Sequence, residues 1–148
     1  MSESLIQRLL ATGNGSAALV LRVPVGIIFA AHGAQKLFGW FGGHGLEGTG
    51  QFFASIGLAP GYLMALLAGA AELCGGLALS GGVVGRPAGA ALARAMLVAS
   101  VAGHGGKGFF LASGGLEYAL ALLAAALSLA FSGAGRCSLD RAFARSRS

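Results

Sequence analysis

The sequence predicts an all-α integral membrane protein, a four-helix bundle with a short interfacial helix in its first outer loop. Charged residues make up only 10% of the 148 residues and hydrophobic residues 55%, whereas soluble domains carry about 25% charged residues. The 27 glycines lie among Ala, Leu and Val, a composition typical of membrane helices that pack closely through small residues. An ordinary soluble domain is excluded, since too little charge remains to cover its surface.

Four segments are apolar enough to cross a membrane, and together they define one domain over residues 16–135. We expect the spans at 16–38, 61–83, 87–104 and 116–134. A charge-free run from 118 to 135 identifies the last span. The other three carry ionisable residues, yet their long Leu, Ala and Val runs leave hardly any polar face for water. Residues 1–15 are then an N-terminal cytoplasmic segment, and residues 136–148 a basic cytoplasmic tail.

A short helix is expected in the first outer loop, between the first two spans. Residues 39–60 are too polar and too rich in glycine to cross a membrane, and Phe52, Phe53 and Ile56 fall at helical spacing. Apolar residues at that spacing beside a span are typical of a helix that lies along the membrane surface. Trp40 has the character of an interfacial aromatic residue that marks the end of the first span.

The distribution of Lys and Arg predicts a multi-pass protein with both termini in the cytoplasm. The predicted outer side carries Lys36 and Lys107. The predicted cytoplasmic side carries Arg8, Arg86, Arg136, Arg141, Arg145 and Arg147. An excess of basic residues marks the cytoplasmic side of a membrane protein. The formal charge of +5 fits attraction to the anionic headgroups of the lipid bilayer. Nucleic acid is not an expected partner, because the basic residues do not cluster with aromatic residues on a soluble face.

Three ionisable residues fall in the inner half of the spans, and we expect them to form a buried ion pair. Arg22, Glu72 and Arg94 lie at comparable depths when 1.5 Å per residue is counted from the inner helix ends. A charge at mid-membrane costs about 2.5–3.5 kcal/mol on insertion scales and must therefore face protein or water. Glu72 is predicted to pair with Arg22, Arg94 or both. A proton-relay or substrate role for Glu72 is the alternative.

A second set of ionisable and hydrogen-bonding residues lies toward the outer side and forms the candidate ligand pocket: His32, Lys36, His104, Glu117 and Tyr118. His32 lies about 9 Å from the outer end of its helix, and histidine titrates near neutral pH. His32 is therefore the first candidate catalytic residue, and Glu72 is the second. Snorkelling toward the interface is the alternative for Lys36, Lys107 and Glu117.

The sequence lacks the ligand patterns of the common metal cofactors. Cys74 and Cys137 are the only cysteines, and their spacing matches no zinc or iron–sulfur motif. His32 and His104 could hold a haem only at equal heights, and counting along the helices places them about two turns apart. We therefore expect no metal, flavin or iron–sulfur site and no haem.

Short motifs along the chain carry a family resemblance. The first span contains LRVPVG at 21–26, followed by Phe29, His32-Gly33 and LFG after Lys36. Further motifs lie around Glu72 and at 85–87, 96–99, 104, 108–110, 114–118 and 133–140. Together they cover residues 18–142, and the pattern resembles that of the DoxX family. Three positions depart from it. The family pattern has an apolar residue where this chain has Arg94, Trp where it has Gly105, and Pro where it has Ala119.

The resemblance implies a bacterial inner-membrane protein. The family is named after small subunits associated with thiosulfate:quinone oxidoreductase and terminal oxidase complexes. The chain is then expected to be a non-autonomous, quinone-contacting subunit of an oxidoreductase complex, with partner redox subunits that supply electrons. Quinone is the expected ligand, because its chemistry needs an apolar tunnel with one or two titratable hydrogen-bonding groups.

Other functional classes stay open at this point. The alternative to a redox subunit is a carrier of lipid or of a small solute, or a membrane scaffold without catalytic activity. An ion channel ranks below both, because the fourth span offers only Ser128 to a polar path. The Gly/Ala-rich helix faces would also permit a homo-oligomer.

Overall fold

A computed structural model describes residues 15–146, and every regular element in that range is helical. Its α-helices are α1 (Ala17–Phe38), α2 (Gly45–Ser55), α3 (Gly61–Gly81), α4 (Gly85–Val98), α5 (Glu117–Ser132) and α6 (Leu139–Arg145). A π-helical segment, Ala99–Gly103, continues α4, and short 3-10 turns lie at Trp40–Gly42 and Leu111–Ser113. The predicted all-α bundle is confirmed: α1, α3, α4 and α5 form it, and α2 is the short helix of the first loop.

The four bundle helices differ in length. α1 and α3, with 22 and 21 residues, are long and apolar enough to cross a membrane. α5 is apolar but has 16 residues, about 24 Å at 1.5 Å per residue. α4 has 14 residues and is extended by the 5 residues of the π segment. By length and composition, α1 and α3 are the two complete spans, and α4 and α5 are their shorter partners in the bundle.

Glycines with positive φ follow three of the bundle helices. Gly39 follows α1 at φ 72°, and its N–H donates to the Gln35 carbonyl. Gly82 follows α3 at φ 69°. A side chain would crowd the backbone in this left-handed region, which glycine adopts freely. Gly133, at φ 76°, ends α5 two residues before the predicted end of the span at 134.

α1 packs against α3 through glycines on both helices. A Cβ atom at Gly26 would lie 2.6 Å from the Gly76 carbonyl oxygen, and one at Gly33 would lie 2.7 Å from the Gly69 carbonyl oxygen. A side chain at Gly76 would meet the backbone of Ala30. Small residues allow helix backbones to approach this closely in membranes. α1 and α3 therefore form one tight pair.

α4 and α5 form a second tight pair by the same means. A Cβ atom at Gly89 would lie 2.7 Å from the Ala130 amide nitrogen and 2.8 Å from the Ala126 carbonyl oxygen. One at Gly85 would lie 2.8 Å from the Cβ of Ala134, just beyond α5. The bundle is thus built from two antiparallel pairs rather than from four equivalent helices.

The two pairs meet in an apolar core. Val25 and Phe29 of α1 and Leu79 of α3 pack with Leu92 of α4 and Leu129 of α5. This core lies toward the half of the bundle where α1 and α4 begin and α3 and α5 end, which we call the α6 end. The opposite half, called the α2 end, carries α2 and the loop between α4 and α5.

The C-terminal segment folds back onto the turn between α3 and α4. The carboxylate of Asp140 is almost completely buried and accepts hydrogen bonds from the amides of Val84 at 2.6 Å and Gly85 at 2.8 Å. It thereby caps the amino end of α4, where helix N–H groups lack partners. The amide of Asp140 donates to the Gly82 carbonyl at 3.0 Å. The segment expected to be a basic tail therefore contains a buried anchor.

The N-terminal segment predicted at 1–15 lies, except for Gly15, outside the described residues, as does Arg147 in the tail.

Candidate ligand-binding cavity

A cavity of about 570 Å³ lies between the two helix pairs at the α2 end of the bundle. All five helices from α1 to α5 contribute to its mainly apolar wall, together with the π segment. The ionisable and phenolic side chains in that wall are those of His32, Lys36, Glu72, Arg94, His104, Lys107 and Tyr118. Its volume falls in the range of small-molecule sites, which typically combine apolar walls with a few polar groups.

Several residues that line the cavity are also exposed at the surface of the bundle. Among the lining residues, Leu67 of α3 is 54% exposed and Val98 of α4 is 49% exposed. Arg94 of α4 is also exposed while it lines the cavity. On the opposite side, Phe29 and Leu122 are buried in the core. Exposed residues of α3 and α4 therefore line one part of the cavity, and core residues line another.

Six of the eight residues singled out from the sequence line this one cavity. They are His32, Lys36, Glu72, Arg94, His104 and Tyr118. The predicted inner and outer clusters are thus not separate sites, because Glu72 and Arg94 share a cavity with the histidines. Arg22 and Glu117 lie elsewhere.

Lys36 and Glu72 form an ion pair in the cavity wall. The Lys36 Nζ lies 2.6 Å from Glu72 Oε2, and the exposed fractions of the two side chains are 22% and 3%. The predicted pairing of Glu72 with Arg22 or Arg94 is therefore wrong. Neither arginine forms an ion pair with a carboxylate among residues 15–146. A buried carboxylate needs a cation and hydrogen bonds to offset its lost hydration, and Lys36 supplies both.

The close contact between α1 and α3 explains why Lys36, and not Arg22, meets Glu72. A Cβ atom at Gly33 would run into the backbone of Leu73, so position 33 lies level with position 73 of the antiparallel helix. Lys36 is one turn from Gly33, whereas Arg22 lies about 16 Å away along the helix axis. Depth counted from predicted helix ends could not supply this register.

Arg22 has a structural role at the α6 end. It is 2% exposed, and its Nη1 donates to the carbonyls of Leu79 at 3.0 Å and Ser80 at 2.6 Å. Its Nη2 donates to the Cys137 carbonyl at 2.8 Å. Helix carbonyls at a carboxyl end lack partners within the helix and favour cations. Arg22 therefore joins α1, the end of α3 and the C-terminal segment.

Both cavity histidines are held through the same ring nitrogen. Nδ1 of His32 lies 2.9 Å from the Ile28 carbonyl oxygen, and Nδ1 of His104 lies 2.7 Å from the Gly114 carbonyl oxygen. A carbonyl oxygen can only accept, so Nδ1 must carry the proton in each ring. This leaves Nε2 of each histidine as the nitrogen available to a ligand, as acceptor when neutral and as donor when charged.

Tyr118 and Glu117 are neighbours in sequence with different roles. The Tyr118 ring centroid lies 6.0 Å from that of His32, so the phenol and one of the histidines occupy the same part of the cavity. Glu117 does not line the cavity. Its Oε1 accepts a hydrogen bond from the Leu111 amide at 2.6 Å and so orders the loop before α5.

α2 covers part of the cavity, a role that the sequence did not reveal. Phe52, Phe53 and Ile56, the residues that predicted the helix, all line the cavity. α2 is held on α3 by close packing, since a Cβ atom at Gly50 would lie 3.0 Å from the Cα of Tyr62. Apolar spacing predicts a helix with one buried face, but it does not tell whether lipid or protein covers that face.

The chain matches known proteins over most of its length. Residues 17–105 match a family model described as DoxX. The chain is also 37% identical over 122 residues to a protein of Bacillus subtilis (strain 168) named "Putative oxidoreductase CatD", with 82% of this chain and 83% of the relative covered. No solved structure matches the chain. The family match includes His32, Glu72 and His104.

Proposed function

The chain belongs to the DoxX family, and from that premise we propose that it is a subunit of a membrane redox complex whose cavity binds the head of a quinone. The proposal is carried by one observation: an apolar cavity of about 570 Å³ that contains both His32 and Tyr118. The name of its relative, an oxidoreductase, supports the same class of chemistry.

The cavity has the properties that a quinone site needs. Its walls are mostly apolar side chains, among them Phe52 and Phe53, which offer flat surfaces to a ring. In this scheme the apolar tail leaves the cavity past Leu67 of α3 and Val98 of α4, which line it and are exposed, while the head lies inside. The rings of His32 and Tyr118, with centroids 6.0 Å apart, are close enough to hydrogen-bond to one bound ring.

The chain supplies the proton-exchanging and orienting groups. A bound quinone would accept two electrons and two protons on reduction. Nε2 of His32 is free of backbone bonds and exchanges a proton with the cavity, while the Tyr118 hydroxyl orients a ring oxygen. Glu72 holds the Lys36 ammonium in the wall and is a positioning residue in this scheme.

The electrons would come from a partner redox protein, so the chain would act as a subunit and not as a complete enzyme. We place it in the bacterial inner membrane with both termini in the cytoplasm, because in residues 15–146 Arg86, Arg136 and Arg141 lie at the α6 end, whereas Lys36 and Lys107 lie at the α2 end. The α2 end, with the cavity, then faces the outer leaflet.

Mass spectrometry of the organic extract tests the proposal. The protein is purified from membranes in a mild detergent as wild type, His32→Ala and His44→Ala. His44 is a matched control, because it is exposed and does not line the cavity. We expect about one quinone per protein in the wild type and in His44→Ala. In His32→Ala we expect an affinity about tenfold lower, the effect of losing one charge-assisted hydrogen bond, and therefore clearly less quinone per protein.

Two results would contradict the proposal. Phospholipid without quinone in all three samples would favour a lipid carrier or scaffold. Equal quinone in His32→Ala and His44→Ala would show that the quinone does not bind at His32.

A further inference from the structure

The cavity carries more positive than negative charge. Its ionised lining consists of Lys36, Arg94 and Lys107 against the single carboxylate of Glu72. Glu72 is already paired with Lys36 at 2.6 Å. Arg94 and Lys107 have no carboxylate within ion-pair distance anywhere in residues 15–146. Two cations therefore face the cavity without a protein counter-charge.

Arg94 lies at the same level of the bundle as the Lys36–Glu72 pair. A Cβ atom at Gly75 of α3 would lie 3.0 Å from Cγ of Leu92 on α4, which sets the register of these antiparallel helices. Measured along the helix axes, Glu72 lies about 4.5 Å from this contact and Arg94 about 3 Å from it, both toward the α2 end. Arg94 and the Lys36–Glu72 pair therefore line the cavity at one level of the bundle.

An arginine in the middle of a membrane helix is costly unless it faces water, protein or a ligand. Arg94 is exposed and also lines the mainly apolar cavity, so a negative group held inside the cavity beside it is screened less than it would be in bulk water. The guanidinium can also donate two parallel hydrogen bonds to a pair of oxygens on one group.

From this we infer that the cavity selects a ligand whose head carries negative charge, with Arg94 as the specificity-determining residue. The inference rests on the proposed function for the quinone nature of that ligand, and in those terms the ligand is an acidic quinone bearing an ionised ring hydroxyl. The same anionic chemistry could be offered by a fatty acid carboxylate, and the experiment separates these two sources.

Binding of three probes tests the inference. The protein is placed in nanodiscs of neutral phosphatidylcholine, and empty nanodiscs correct for partition into the bilayer. The probes are a 2-hydroxy-3-alkyl-1,4-naphthoquinone, which is ionised at neutral pH, its uncharged 2-methoxy derivative, and palmitate. The proteins are wild type, Arg94→Gln and the control Arg136→Gln, in which the exposed arginine lies at the α6 end, away from the cavity.

The wild type is expected to bind the hydroxyquinone about tenfold more tightly than the methoxyquinone. Arg94→Gln should remove most of that preference, whereas Arg136→Gln should bind like the wild type. Since Arg94 is exposed, its replacement should not prevent folding, and a size-exclusion profile that matches the wild type verifies this.

Each of the other outcomes of this experiment leads to a different conclusion. Equal affinities for the two quinones in the wild type, with no change in Arg94→Gln, would overturn the inference and leave the quinone function standing. Binding of palmitate alone, lost in Arg94→Gln, would support an anionic head and overturn the quinone function. An equal loss in Arg136→Gln would attribute the preference to overall charge and overturn the role of Arg94.

Discussion

Lys36→Met is expected to lower the free energy of unfolding by about 3–5 kcal/mol, the cost of removing one partner from a buried ion pair. The substitution keeps the length of the side chain but leaves the Glu72 carboxylate, with 3% of its side chain exposed, beside an apolar wall without its cation. The midpoint of unfolding by denaturant in detergent micelles, compared with that of the wild type, measures the loss.

Two further variants separate the ion pair from simple packing. Glu72→Gln should cost less than Lys36→Met, because the Lys36 side chain is 22% exposed and its charge is partly hydrated. The double variant Lys36→Met with Glu72→Leu should recover most of the loss, since an apolar pair can replace a buried ion pair at little cost. If Lys36→Met is as stable as the wild type, the ion pair does not stabilise the fold.

Asp140→Ala is expected to cost about 3 kcal/mol, because hydrogen bonds to a charged group contribute about 1.5–3 kcal/mol each. The substitution removes the acceptor for the Val84 and Gly85 amides at the start of α4. Thermal unfolding and limited proteolysis of the C-terminal segment both report the loss.

The neighbouring residue provides the control for this experiment. Leu139 is 49% exposed, so Leu139→Ala changes α6 without touching the anchor and should alter stability by no more than about 0.5 kcal/mol. Asp140→Asn, which keeps one acceptor oxygen, should fall between the wild type and Asp140→Ala. Equal stability of Leu139→Ala and Asp140→Ala would contradict the anchoring role.

Composition and apolar spacing predicted the elements of this fold. The low charge and the long Leu, Ala and Val runs determined four bundle helices, since such runs must be buried in protein or lipid. Phe52, Phe53 and Ile56 predicted α2 for the same reason. These predictions depend only on the sequence within each element, which is why they could be made without knowing how the elements pack.

Reasoning from the sequence within each element could not predict which residues of different elements contact one another. Lys36 meets Glu72 because Gly33 allows the backbones of α1 and α3 to touch at one register, and no local pattern specifies that register. Asp140 caps a helix that begins 55 residues earlier in the chain. The sequence singled out six of the seven ionisable and phenolic residues of the cavity, but it assigned the wrong partner to Glu72.

The π segment at Ala99–Gly103 gives the end of α4 a different phase from its beginning. A π-helical turn holds one residue more than an α-helical turn, so the residues that follow it are rotated by about one position around the axis. His104 comes directly after this segment and lines the cavity. The one additional residue in the π segment thus sets the angular position of His104 relative to Arg94. At this point the number of residues in the helix matters as much as which residues they are.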